Sequence, residues 1–170
     1  KQLLARDSFL MWLVNLALYT AFPTVIIMAS SLFLGYIFAK RKFPGRDFIF
    51  WLFLGMIMVP TQVLAVPRYS LFSQLNWIDT RGIMIVPFLW DIASLFFMRQ
   101  YMQSIPDEIE EAAVIDGCGQ FRCVLSIIAP MCGPALASIA ILSFVARWND
   151  FFYPLIFVTS ESKYPITVGL

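Results

Sequence analysis

The sequence predicts an all-α, polytopic transmembrane helical bundle, and three observations carry that expectation. Hydrophobic residues make up 60% of the 170 residues and charged residues 14%, so too few charges remain to clothe a water-soluble fold. Four long stretches are almost free of charge. Four cations, Lys40, Arg41, Lys42 and Arg46, crowd into one short loop with a Pro-Gly turn, the pattern of a stop at a cytoplasmic membrane face.

The spans follow from the uncharged runs, since a bilayer core takes about 20 apolar residues in helix. Residues 8–39 carry no charge and exceed one untilted span, which places 8–20 near the outer interface and the span proper at 17–39. The second run gives a span at 48–67. The third, at 82–100, is interrupted by Asp91. The fourth, at 123–146, is expected to extend to about 158. With residues 40–46 inside, alternation puts 68–81 outside, 99–122 inside and everything after Trp148 outside. Tyr69 and Trp77 fall where interfacial aromatics belong. Lys1 and Arg6 fall on the outer side, against the charge rule.

Absences narrow the function. The chain holds no histidine, which removes Ser-His-Asp and Cys-His catalysis and His-ligated metal. Cys118, Cys123 and Cys132 form no Cys-x-x-Cys pair and read as buried thiols. No Gly-x-x-x-x-Gly-Lys-Ser/Thr string exists to cradle ATP phosphates. A net charge of +1 offers no field for nucleic acid.

Residues 104–122 differ from their surroundings. Pro106 suits a helix start, Asp107, Glu108, Glu110 and Glu111 suit the positive end of the helix dipole, and Gly117 suits a C-terminal cap. A short helix with sharp ends follows. Helical spacing puts Ile109, Ala112, Ala113 and Asp116 on one shallow face. Five of the eleven acids lie here, on the side where cations normally dominate. The segment reads either as a solvated connector or as a docking knob for a cytoplasmic partner.

The order of residues is then recognisable. Glu111-Ala112-Ala113, Gly117, Ile127 and Pro130 fall at the spacing of the Glu-Ala-Ala loop of binding-protein-dependent ABC importer permeases, with Ala129 where the usual pattern has Leu. Ile105-Pro106, Asp116, Phe43-Pro44-Gly45-Arg46, Met58-Val59-Pro60, Arg99-Gln100 and Trp148-Asn149-Asp150-Phe151 resemble the maltose-type carbohydrate subfamily. The resemblance implies a type I importer permease in a bacterial-type inner membrane, and it makes this chain a fragment lacking one span before Lys1 and one after Leu170. It further implies a transport subunit that is no enzyme and holds no cofactor, with ATP and magnesium bound by a cytoplasmic ABC ATPase dimer. A second permease subunit, an extracytoplasmic sugar-binding protein and a sugar complete the expected partners.

On that resemblance the coupling residues are Ile109, Glu111, Ala112, Ala113, Asp116 and Gly117, with Glu111 meeting a cation or helix N-terminus on the ATPase. Trp148, Asn149, Asp150 and Tyr153 supply the amide, carboxylate and aromatic groups that bind sugars, although Arg147 and Asp150 also sit at ion-pair spacing. Asp91 reads as a pathway contact or as the structural partner of Arg99, Arg147 or a polar group. Two other classes stay open: an ABC importer permease for a non-sugar solute, and a membrane scaffold or carrier without an ATPase.

Overall fold

The computed structural model describes residues 7–170, and every regular element among them is helical. The described residues form two compact units. One holds the chain up to Ile26 with Pro60–Leu89 and Leu142–Leu170; the other holds Ile27–Val59 and Trp90–Ile141.

Helix α1 (Asp7–Lys40) is one unbroken helix of 34 residues, roughly 50 Å at the usual helical rise. Its apolar part, Ser8–Lys40, has the length and hydropathy of a membrane span. Pro23 lies inside it. The Thr24 hydroxyl beside Pro23 bonds back to the Thr20 carbonyl at 2.7 Å, as hydroxyls do where no water is present.

Two expected spans, at 48–67 and 123–146, are broken for local chemical reasons, whereas the third, irregular in its first half, keeps over Gly82–Gln103 the length and hydropathy of a membrane span. The 48–67 run is not one helix: α2 (Arg46–Ile57) ends early and α3 (Ala65–Gln74) begins afresh. Pro60 lacks an N–H and disfavours helical backbone at Val59, which turns the chain between them. The 82–100 run starts as two single 3-10 turns, Gly82–Met84 and Val86–Phe88, before α4 (Ile92–Gln103). Asp91 caps α4 by accepting from the Ser94 N–H at 2.7 Å and the Ser94 hydroxyl at 2.6 Å. Asp91 is therefore a helix start rather than a charge in mid-helix.

After α5 (Asp107–Ile115), the fourth run comprises α6 (Gln120–Cys123), a π-turn at Val124–Ile128, α7 (Ala129–Met131) and α8 (Gly133–Trp148). The two halves bend by 77° at Cys132. Pro134 has no N–H for the Pro130 carbonyl, so the ladder opens there. The expected extension to residue 158 is likewise interrupted. The Asn149 amide bonds to the Val145 carbonyl at 2.8 Å, and α9 (Phe152–Phe157) restarts with the Tyr153 N–H on Asp150 at 3.2 Å. A last turn, α10 (Ile166–Gly169), ends the chain.

In the unit built on Ile27–Val59 and Trp90–Ile141, the main core joins Ile27, Tyr36, Met98, Met102, Cys123 and Ile128. Gly35 lets α1 and α4 approach closely, since a Cβ there would stand 2.6 Å from Met98 Cγ. Arg99 lies over the Phe50 ring at 4.0 Å and donates to the Phe38 carbonyl at 3.2 Å. Cys123 and Cys132 are buried and Cys118 is half-buried, all three as free thiols.

The other unit centres on Tyr19, Ile83, Met84, Tyr153 and Phe157. Asp79, at φ 58°, ties its loops together. Its carboxylate accepts from the Thr159 N–H at 3.0 Å, the Ser160 N–H at 2.8 Å and Lys163 Nζ at 2.8 Å. Burial alone would raise the Asp79 pKa; the bonds from Lys163, Ser160 and Thr159 outweigh it and hold the carboxyl well below the usual range. The α1 side chains Trp12, Asn15 and Tyr19 donate to the carbonyls of Glu161, Ser162, Lys163 and Tyr164 at 3.0–3.2 Å.

Candidate functional site

The acidic helix α5 is closed at both ends by its own sequence. Pro106 stands at the N-cap with ψ 140°, one position before the helix. At the other end the Cys118 N–H reaches the Ala113 carbonyl at 2.9 Å and the Gly117 N–H reaches Val114 at 3.0 Å. Gly117 has φ +80°. Together these form a Schellman cap, which needs a left-handed residue at that position.

Two long-range ion pairs fasten α5 to the end of α1. Lys40 pairs with Asp107 and also donates to the Ile105 carbonyl. Arg41 pairs with Glu110, which also accepts from the Tyr36 hydroxyl at 2.6 Å. The cationic loop and the acidic helix therefore lie at one end of the same unit. The Lys40 hydrogen bond and charge hold the Asp107 carboxyl below its ordinary value.

That direction fixes a pH response. A depressed carboxylate contributes its stabilisation above its unfolded pKa of about 3.9 and loses it as pH falls through the lower folded value. Proteolytic nicking of the 104–122 loop is expected to stay constant between pH 8 and 5 and to rise only below about pH 4. Asp107→Asn should shift nicking at neutral pH slightly, since the carboxylate is 76% exposed.

The faces of α5 differ from the sequence expectation in one respect. Ala113 is buried at 7% exposure in the unit's own core, and Ile109 packs against that core. The expected shallow face of Ile109, Ala112, Ala113 and Asp116 is therefore split: neighbouring helices claim the first and third. Glu108, Glu111, Ala112 and Asp116 are exposed. Ile115, at 85% exposure, and Val114 join them. Glu111, Val114 and Ile115, with Lys40, Arg41, Asp107 and Glu110, line an open depression of about 430 Å³.

In the other unit, the 147–153 stretch lies at the α8–α9 break. Asp150 and Tyr153 line a cavity of about 140 Å³ with Gln62, Arg68, Phe88 and Arg147. Arg147 stands 3.9 Å from Asp150 and lies over the Phe88 ring at 3.8 Å. Trp148 stacks on Phe144 at 5.3 Å, and Asn149 is exposed beside it. Of the candidate pathway residues, the structure thus gathers Asp150 and Tyr153 into one cavity and leaves Trp148 and Asn149 out of its lining. Asp91 belongs to the other unit, bonded to Ser94.

Residues 31–168 match the family described as binding-protein-dependent transport system inner membrane component. The chain belongs to this family. Among similar proteins, the arabinooligosaccharides transport system permease protein AraQ of Halalkalibacterium halodurans is 36% identical over 149 residues, covering 86% of this chain and 53% of that protein. Its namesake from Bacillus subtilis is 35% identical over 159 residues, covering 94% and 57%. The fold superposes with TM-score 0.89 and 25% identity on the crystal structure of a bacterial ABC transporter involved in the import of the acidic polysaccharide alginate, covering 98% of this chain and 59% of that one. The chain spans somewhat over half the length of the relatives it matches.

The linings of these two hollows in this inner membrane component include Ile115, Val114 and Arg68, none of which the sequence singled out. Ile115 and Val114 lie inside the Glu111 to Gly117 motif, and a helical wheel centred on Ala112 would have exposed Ile115. No local signal marks Arg68 as a neighbour of Arg147.

Proposed function

We propose that the chain is the membrane-spanning part of an ATP-driven sugar importer and couples its pathway to cytoplasmic ATPase subunits through α5. One observation carries the reading: α5 is a sharply capped helix, anchored by Lys40 and Arg41, that presents Glu111, Ala112 and Ile115 to solvent. A subunit without a nucleotide motif must be moved by one that has it, and an element that transmits motion must dock without bending. Ala112 leaves room for close approach, Ile115 offers apolar area, and Glu111 offers charge. Closure of the ATPases then rocks the spans and opens the pathway. A second permease and an extracytoplasmic binding protein would complete the importer. Sugar as the solute is supported by the named relatives and by the aromatic, amide and carboxylate groups at 148–153.

Uptake of labelled oligosaccharide by inverted-topology-controlled membrane vesicles carrying the full-length importer tests this directly. Trp148→Ala and Asn149→Ala are expected to lower uptake several-fold while the ATPase still co-purifies. Unchanged uptake in both variants would remove the 148–149 pair from the pathway. Uptake that proceeds without any co-purifying ATPase would favour the carrier class instead.

A further inference from the structure

The Lys40 end of α1 holds α5 by two contacts that differ in kind. The Lys40–Asp107 pair has a largely exposed carboxylate, and such a pair is loosened by water and salt. The contact to Glu110 is largely enclosed. The Glu110 side chain is 12% exposed, and Tyr36 is 5% exposed. The Tyr36 hydroxyl donates to Glu110 Oε1 at 2.6 Å. Arg41 Nη2 donates to that same carboxylate oxygen and to the Tyr36 hydroxyl, and its guanidinium lies over the Tyr36 ring at 5.0 Å. Three groups thus close a ring of hydrogen bonds, and each bond polarises the next.

This clasp is separate from the exposed side of α5. Glu110 shares the inward side with Ile109 and Ala113, which pack on the core that contains Tyr36. Glu111, Ala112 and Ile115 are exposed. One turn earlier on α1, Phe33 stacks on Phe121 of α6 at 5.6 Å, so α1 holds the chain on both sides of α5. α1 itself runs unbroken from Asp7 to Lys40. Apolar contact would join these helices at a smaller desolvation cost, but it is non-directional and tolerates sliding. A charge-assisted bond fixes the orientation of α5 on α1 as well as its distance.

We infer that Tyr36 is a positioning residue for transport: with Arg41 it holds Glu110, so that a displacement of α5 passes into α1 instead of being lost as slippage between the two helices. This deepens the reading of α5 as the coupling element and rests on it. Every group of the clasp belongs to one unit of the chain.

The test uses right-side-out vesicles with the complete importer, loaded with ATP and supplied with labelled maltotriose, cellotriose and arabinotriose together. It reads sugar carried per ATP hydrolysed, a ratio insensitive to the amount of protein. Tyr36→Phe keeps the ring and loses the hydroxyl; Glu110→Gln loses the charge. Each should lower the ratio at least threefold while the ATPase still co-purifies and hydrolyses ATP. The double variant should fall no more than twofold below the worse single one, because the two groups act through one contact. Tyr101→Phe removes another tyrosine's bond, to the Met131 carbonyl at 3.2 Å, and should leave the ratio unchanged. A native ratio in both single variants, an equal fall in Tyr101→Phe, or losses that multiply in the double variant would overturn the positioning role and leave the coupling role of α5 standing. Loss of the co-purifying ATPase from Glu110→Gln would overturn it too, by making Glu110 part of the docking face. No ATP-dependent uptake by the native importer would overturn the sugar-importer reading and this inference with it.

Discussion

Replacing Gly117 by Val is expected to abolish ATP-dependent uptake while the protein reaches the membrane at normal levels. Gly117 sits at φ +80°, and a Cβ built there meets nothing within 4 Å. The penalty is therefore conformational and not steric crowding with neighbours. A left-handed L-residue costs about 1–2 kcal/mol, more when β-branched. That strain is relieved by releasing the Schellman bonds from Gly117 and Cys118 to Val114 and Ala113. The last turn of α5 then unwinds and carries Ile115 away from Ala112. The spans do not depend on this turn. Asn tolerates the left-handed region, so Gly117→Asn should retain most of the uptake. Equal loss in both variants would mean that something other than the cap is being read.

The neighbouring alanines are expected to fail in opposite ways. Ala113→Asp puts a carboxylate into the core beside Met102, Ile105 and Cys123. An uncompensated buried charge costs about 3–5 kcal/mol, so membrane levels should fall at least several-fold. Ala112 is exposed. Ala112→Asp should leave membrane levels unchanged and abolish uptake together with sugar-stimulated ATP hydrolysis, because the new charge meets the docked partner and not this chain's core. Loss of protein in both variants, or full uptake with Ala112→Asp, would refute the division of faces on α5.

These expectations separate what the sequence discloses from what it does not. The ends of α5 were legible because Pro106 and Gly117 act on their own backbone. Which side of α5 faces inward was not, because α1 and α4 decide it from far along the chain, through Tyr36, Lys40, Arg41 and Met102. The apolar runs were legible from hydropathy, but hydropathy averages over a window. It passes over a turn at Pro60 and a ladder opened by Pro134, which break two predicted spans, and over Asp91, which caps α4 inside a stretch that still has the length and hydropathy to cross a membrane. The amide, carboxylate and aromatic groups of residues 148–153 were legible in the sequence. That Arg68 lines one cavity with Asp150 and Tyr153 was not, since α3 brings that residue in only once Pro60 has ended the preceding helix.

The docking role of α5 is tested most directly by cross-linking from its exposed face. Cysteine is placed at position 115 or 113 of the full-length protein with the native cysteines replaced, and a maleimide–benzophenone reagent, which couples the thiol and on irradiation inserts into a nearby C–H bond, is added to membranes of the assembled complex. The expected result is an adduct between position 115 and the ABC ATPase subunit, with none from position 113. An ATPase that co-purifies without forming that adduct would contradict it. So would labelling of position 115 by an impermeant maleimide added outside intact cells.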